Sequence, residues 1–144
     1  MGRNTTWIDA PPEQVFDVLR DPFSYDDWVV GTTEIRGADP DWPAVGTKLH
    51  HTVGFPPLGT QDHTEVVSVK KPERLELDAV ARPFGRAKVE LLLEPAGKGT
   101  KLTIVEDPTG WTSPLKLNPA VHLLIRLRNV ETLRRLKRIA ERGR

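Results

Sequence analysis

The stretch RAKVELLLEPAGKGTKLTIVED, residues 86–107, decides the fold. Its first part alternates, with Ala87, Val89, Leu91 and Leu93 on one side and Lys88 and Glu90 on the other. Residues 100–107 alternate again, setting Leu102, Ile104 and Glu106 opposite Lys101, Thr103 and Val105. A period of two marks a strand with one buried and one wet face. The short turn Ala96-Gly97-Lys98-Gly99 between them predicts an antiparallel hairpin.

The pattern continues outward. Residues 46–55 place Leu49, His51, Val53 and Phe55 against Lys48, His50 and Thr52, and the Pro56-Pro57-Leu58-Gly59 turn leads into a strand over 61–69. The phase of that strand is open, because Thr64/Val66 and Val67/Val69 offer competing registers. Residues 74–82 carry Leu75, Leu77, Ala79 and Ala81 in phase, and a first strand covers 4–8. After it, Pro12 and Glu13 open a short helix through Arg20, burying Val15, Phe16, Val18 and Leu19. Asp21-Pro22 starts a second one with Phe23, Tyr25 and Trp28, closed by Gly31.

At the other end, a Pro- and Trp-containing loop over 108–117 leads to Asn118-Pro119, a cap and first helical residue. No Pro or Gly follows until Gly143. The first half of this helix (Val121, Leu123, Leu124, Ile125, Leu127, Val130) is apolar nearly all round and is expected to be the most buried helical stretch. The second half keeps one apolar stripe, Leu133, Leu136, Ile139 and Ala140, with basic residues opposite.

Composition sets the bounds. A chain of 144 residues, 38% hydrophobic and 28% charged, reads as one globular domain over residues 1–144. The absence of cysteine excludes disulfides, thiolate metal sites and a cysteine nucleophile. With no apolar N-terminal region and no spanning run, the expected location is cytoplasmic, without integral membrane association. The net charge of +1 hides an asymmetry: residues 118–144 carry eight Lys/Arg against Glu131 and Glu141, a balance of +6, so the rest carries −5. Such a basic helix suits an anionic partner, or is simply the solvated face of a packed helix.

The order strand, two short helices, about six strands and one long helix resembles the START/polyketide-cyclase-like superfamily, also called Bet v 1-like or SRPBCC. Local strings carry the same resemblance: Ile8-Asp9-Ala10-Pro11-Pro12-Glu13-Gln14-Val15-Phe16, then Asp21-Pro22 with Tyr25 and Trp28, Pro72-Glu73-Arg74-Leu75, and Gly99-Thr100-Lys101-Leu102. The resemblance implies an α+β helix-grip fold, a curved seven-stranded antiparallel sheet wrapped around the C-terminal helix with a cavity between them. It implies a hydrophobic ligand and, for some members, cyclisation or dehydration. The superfamily has no invariant catalytic motif to carry over.

Phase selects the candidate residues. Glu106 shares a face with Leu102 and Ile104, so a carboxylate points to the apolar side, where it must be paired, altered in acidity or near an opening. His51 is in phase with Leu49 and Val53, either as a hydrogen-bonded core residue or as a group that orients a ligand or moves a proton. Ala79 and Ala81 leave volume where larger residues would fill it, and Tyr25, Trp28, Trp111 and Leu124 complete an expected apolar lining. The directions of His63 and Arg82 stay open. His51, His63 and Glu106 lack any local metal-ligand motif, so no metal and no cofactor is expected.

These features support binding of a small hydrophobic or aromatic, lipid- or polyketide-like molecule. The alternative is a cyclase- or dehydratase-like lyase using Glu106 and His51 for proton transfer. A further alternative is an interaction module built on the basic helix, with protein favoured over nucleic acid as partner. A homodimer is compatible with each.

Overall fold

A computed structural model describes residues 2–53, 60–81, 85–108 and 118–142. The chain runs β1 (Gly2–Ile8), α1 (Pro12–Leu19), a 3-10 turn (Pro22–Ser24), α2 (Tyr25–Trp28), β2 (Thr32–Ala38), β3 (Lys48–Val53), β4 (Thr60–Lys70), β5 (Arg74–Ala81), β6 (Gly85–Ala96), β7 (Gly99–Pro108) and α3 (Pro119–Arg142). The strands form one antiparallel sheet in the order β1-β7-β6-β5-β4-β3-β2. This is the helix-grip architecture that the alternation and the resemblance anticipate. The 56–59 turn, Phe55, Arg82, Trp111, most of the 108–117 loop and the side chains of Ala81 and Val121 lie outside the described residues.

The expected caps form. Asp21 accepts from the Phe23 N–H at 3.0 Å, and Asn118 Oδ1 accepts from the Ala120 N–H at 2.9 Å. The deciding hairpin pairs Leu91 with Ile104 and Leu93 with Leu102, and its turn places Gly97 at φ +62°. Gly99 is needed for another reason: a Cβ there would run into the Ile8 carbonyl oxygen and the Trp7 ring. Trp7 donates its indole N–H to the Ala96 carbonyl at 3.0 Å, so the hairpin turn is tied to β1.

Three points go beyond or against the periodicity reading. First, β2 escapes an alternation reading because its pairing with β3 is irregular at two places, between Thr32 and Glu34 and between Ile35 and Gly37. Each extra residue reverses the inside–outside phase. The same device in β4, between Val66 and Ser68, resolves the competing registers: Thr64 and Val66 face inward, Val67 is largely exposed, and Val69 faces inward again. Second, Thr103 is buried rather than solvent-facing. It sits between Thr5 and Leu92 on β7, which has a neighbour on each side, and its hydroxyl is 3.1 Å from that of Thr5.

Third, the first half of α3 is not its buried part. Leu123, Leu124, Leu127 and Val130 are 52–65% exposed, whereas Leu133, Leu136 and Ala140 in the second half are at most 3% exposed and belong to the core. The space beneath the first half is hollow, so that half finds few side chains to pack on. The second half is anchored as well as packed. Gln14 Nε2 donates to the Ala140 carbonyl at 2.7 Å, Lys137 Nζ to the Trp7 carbonyl at 2.7 Å, and the Asp9 N–H to Glu141 Oε2 at 2.8 Å.

Candidate functional site

The hollow is a cavity of about 430 Å³ between the concave face of the sheet and the first half of α3. The period of two builds its floor. Leu49, Thr64, Leu77, Ala79, Val89 and Ile104, from β3 to β7, all reach it from the inward face. Ala79 pairs with Ala87 across β5 and β6, and two methyl side chains side by side leave volume that larger residues would fill.

The aromatic end wall is assembled by α1 and α2. The Leu19 carbonyl, at the end of α1, accepts from the Tyr25 hydroxyl at 2.6 Å and from the Trp42 indole N–H at 3.2 Å. The Trp28 indole N–H donates to the Ser24 hydroxyl at 3.1 Å, and the Tyr25 and Trp28 rings lie 4.5 Å apart. Burial pushes the Tyr25 phenol well above its ordinary value. Both rings line the cavity with their polar atoms turned into the protein, so they present hydrocarbon.

Polar side chains interrupt this lining, Thr32 and Arg86 among them. His51 and Thr64 sit on the β3–β4 wall, where His51 Nε2 and Thr64 Oγ1 are 2.9 Å apart and His51 Nδ1 has no partner among the described residues. Burial pulls the imidazole down to about 4, so it is neutral at neutral pH. Glu106, 3% exposed on β7, accepts from Arg128 Nη1 at 3.2 Å. Arg128 also donates from Nε to the Val30 carbonyl at 2.8 Å, and Thr132 Oγ1 accepts from the Val30 N–H at 3.3 Å. The α2–β2 turn is thus gripped by α3 at one rim of the cavity. Asn129 also lines the cavity from α3.

Of the residues singled out from sequence, Tyr25, Trp28, His51, Ala79, Glu106 and Leu124 line this one cavity. Trp111 and the side chain of Ala81 lie outside the described residues. His63 pairs with His50 on the opposite face of the sheet, away from His51 and Glu106. Glu106 and His51 are not neighbours. β6, β5 and β4 separate their strands, roughly 19 Å along the sheet at about 4.8 Å per strand.

Pattern reading missed Thr64, Arg128, Asn129 and Thr132. The helical signal for two of them was present: the buried stripe Leu133–Leu136–Ala140, extended toward the N-terminus by steps of four, runs through Asn129 and Thr132.

Fold and site together define a helix-grip protein with an apolar internal cavity. The chain belongs to the polyketide cyclase / dehydrase and lipid transport family, whose model matches residues 3–141. No curated protein matches by sequence. Among solved structures it is similar to protein CV1439 from Chromobacterium violaceum, with 20% identity, TM-score 0.74, and 97% of this chain and 96% of that one covered. Ara h 8.0201 shares 14% identity at TM-score 0.72, covering 96% and 95%. DynU16, a protein in the dynemicin biosynthetic locus, shares 20% identity at TM-score 0.69, covering 99% of this chain and 47% of that one. At these identities the likeness is one of fold.

Proposed function

We propose that the protein binds a small hydrophobic or aromatic, lipid- or polyketide-like molecule in the cavity between the sheet and α3. The observation that carries this reading is the cavity itself, about 430 Å³ and lined largely by hydrocarbon. A partly open, apolar hollow of this size falls within the range of small-molecule sites, about 300–1,000 Å³.

The separation of Glu106 and His51 weighs against a lyase that uses them as a proton-transfer pair. So do the ion pair at Glu106 and the weak basicity of His51. Native mass spectrometry of the freshly purified protein tests the binding reading. We expect a co-purifying apolar adduct, and we expect Ala79→Phe, which fills the cavity floor, to remove it without unfolding the protein. A wild-type protein that carries no adduct and gains no thermal stability from aromatic or acyl-chain compounds would overturn the reading.

A further inference from the structure

We infer that Asn129 sets the specificity of this cavity: its side-chain amide recognises an uncharged group that offers a hydrogen-bond donor and acceptor side by side, such as a carboxamide or a hydroxyl beside a carbonyl. This rests on the reading that the cavity binds an apolar ligand, and adds which polar function that ligand carries and where.

Asn129 is 1% exposed and lines the cavity from α3. It lies one turn beyond Ile125, which lines the same cavity, and one turn before the core residue Leu133. Among the described residues neither Nδ2 nor Oδ1 has a hydrogen-bond partner. Buried amides are almost always satisfied, and a leucine of similar size at this position would carry no such penalty. Its neighbours do not account for it. Thr132 is engaged by the Val30 N–H, and Arg128 by the Val30 carbonyl and Glu106. An amide that keeps both donor and acceptor open beside an apolar space complements a ligand group presenting the reverse pair.

The charge pattern says that this group is neutral. Glu106 is matched by Arg128, and Arg86, also at the cavity, is matched by Asp78 at 3.1 Å. An anionic ligand would therefore meet no unpaired cation among the described residues of the lining. A second open position on the sheet wall, His51 Nδ1, suits one further hydroxyl or carbonyl on the ligand.

Calorimetric titration with a matched naphthalene series tests the inference on the full chain. The probes are 2-methylnaphthalene, 2-naphthamide and 2-naphthoate, which share a ring system and differ in the polar group. We expect the wild type to bind the amide about tenfold or more tightly than the hydrocarbon, and the carboxylate more weakly than the amide. Asn129→Leu should keep the hydrocarbon, lose the preference for the amide, and melt no lower than wild type without ligand. If Asn129→Leu does not fold, Asn129→Ala answers the same question. Equal affinities across the series in the wild type, or a preference that survives in the variant, would sink the role of Asn129. A folded variant that melts well below wild type would assign Asn129 to structure and overturn it too. If 2-methylnaphthalene itself fails to bind wild type, the apolar-ligand reading fails first and takes this inference with it.

Discussion

Arg128 on α3 reaches Glu106 on β7 at 3.2 Å and closes one side of the cavity with a matched pair of charges. Glu106 is 4% exposed in its side chain and Arg128 39%, so the carboxylate depends on the arginine more than the reverse. Removing Arg128 leaves a buried charge unpaired, whereas converting Glu106 to an amide leaves an acceptor for the same guanidinium. We expect Arg128→Leu to cost about 1–3 kcal/mol in urea unfolding and Glu106→Gln less than about 1. Glu106→Gln should still change ligand affinity, because it alters the field at the cavity wall. A Glu106→Gln variant with unaltered binding would remove Glu106 from the site.

The neutral, buried His51 makes stability depend on pH in a defined window. Its imidazole titrates at about 4 in the folded chain and near 6.5 when unfolded. Below 6.5 the unfolded chain therefore takes up the proton first, and stability falls as pH drops from about 6.5 toward 4, by up to about 3 kcal/mol. Above 6.5 the contribution is fully present. Denaturant unfolding of wild type and His51→Phe at several pH values from 4 to 7 should show a shallower slope for the variant. Parallel slopes would contradict a buried neutral His51.

The two halves of α3 should respond oppositely to truncation of leucines. Leu133→Ala or Leu136→Ala should each cost about 2–5 kcal/mol, since both side chains are enclosed by the core. Leu123→Ala and Leu127→Ala should be nearly neutral, since each is more than half exposed. Chemical denaturation distinguishes the pattern. Deleting the chain from Pro119 onward should abolish the cooperative transition altogether.

Replacing Arg134, Arg135 and Arg138 together with Gln should leave both melting temperature and ligand binding unchanged within experimental scatter. Arg134 and Arg135 meet Glu131 at 2.6 Å and 3.6 Å, but all these groups are in contact with water, where such pairs contribute little. Loss of function in a folded triple variant would shift the balance toward an interaction module built on the basic helix.

How far the residues alone carry the reading follows from periodicity. Where the alternation is unbroken, as in β6 and β7, it locates strand, turn and inward face, and hence puts Glu106 inside. Where an extra residue enters a strand, as twice in β2, the phase is lost and with it the strand. The helix start at Asn118-Pro119, the small residue at Ala79 and the aromatic pair Tyr25 and Trp28 are likewise local facts, readable without neighbours.

Tertiary structure alone decided what each inward residue meets. The leucines at the start of α3 look like core, yet they are left exposed because the sheet curves away beneath them and encloses a cavity instead. Likewise the partner of Glu106 comes from Arg128, 22 positions further along the chain, through a contact that no spacing rule encodes. Burial, pairing and the open amide of Asn129 arise from the closing of the helix over the sheet, and one-dimensional periodicity records which way a side chain points but not what it reaches.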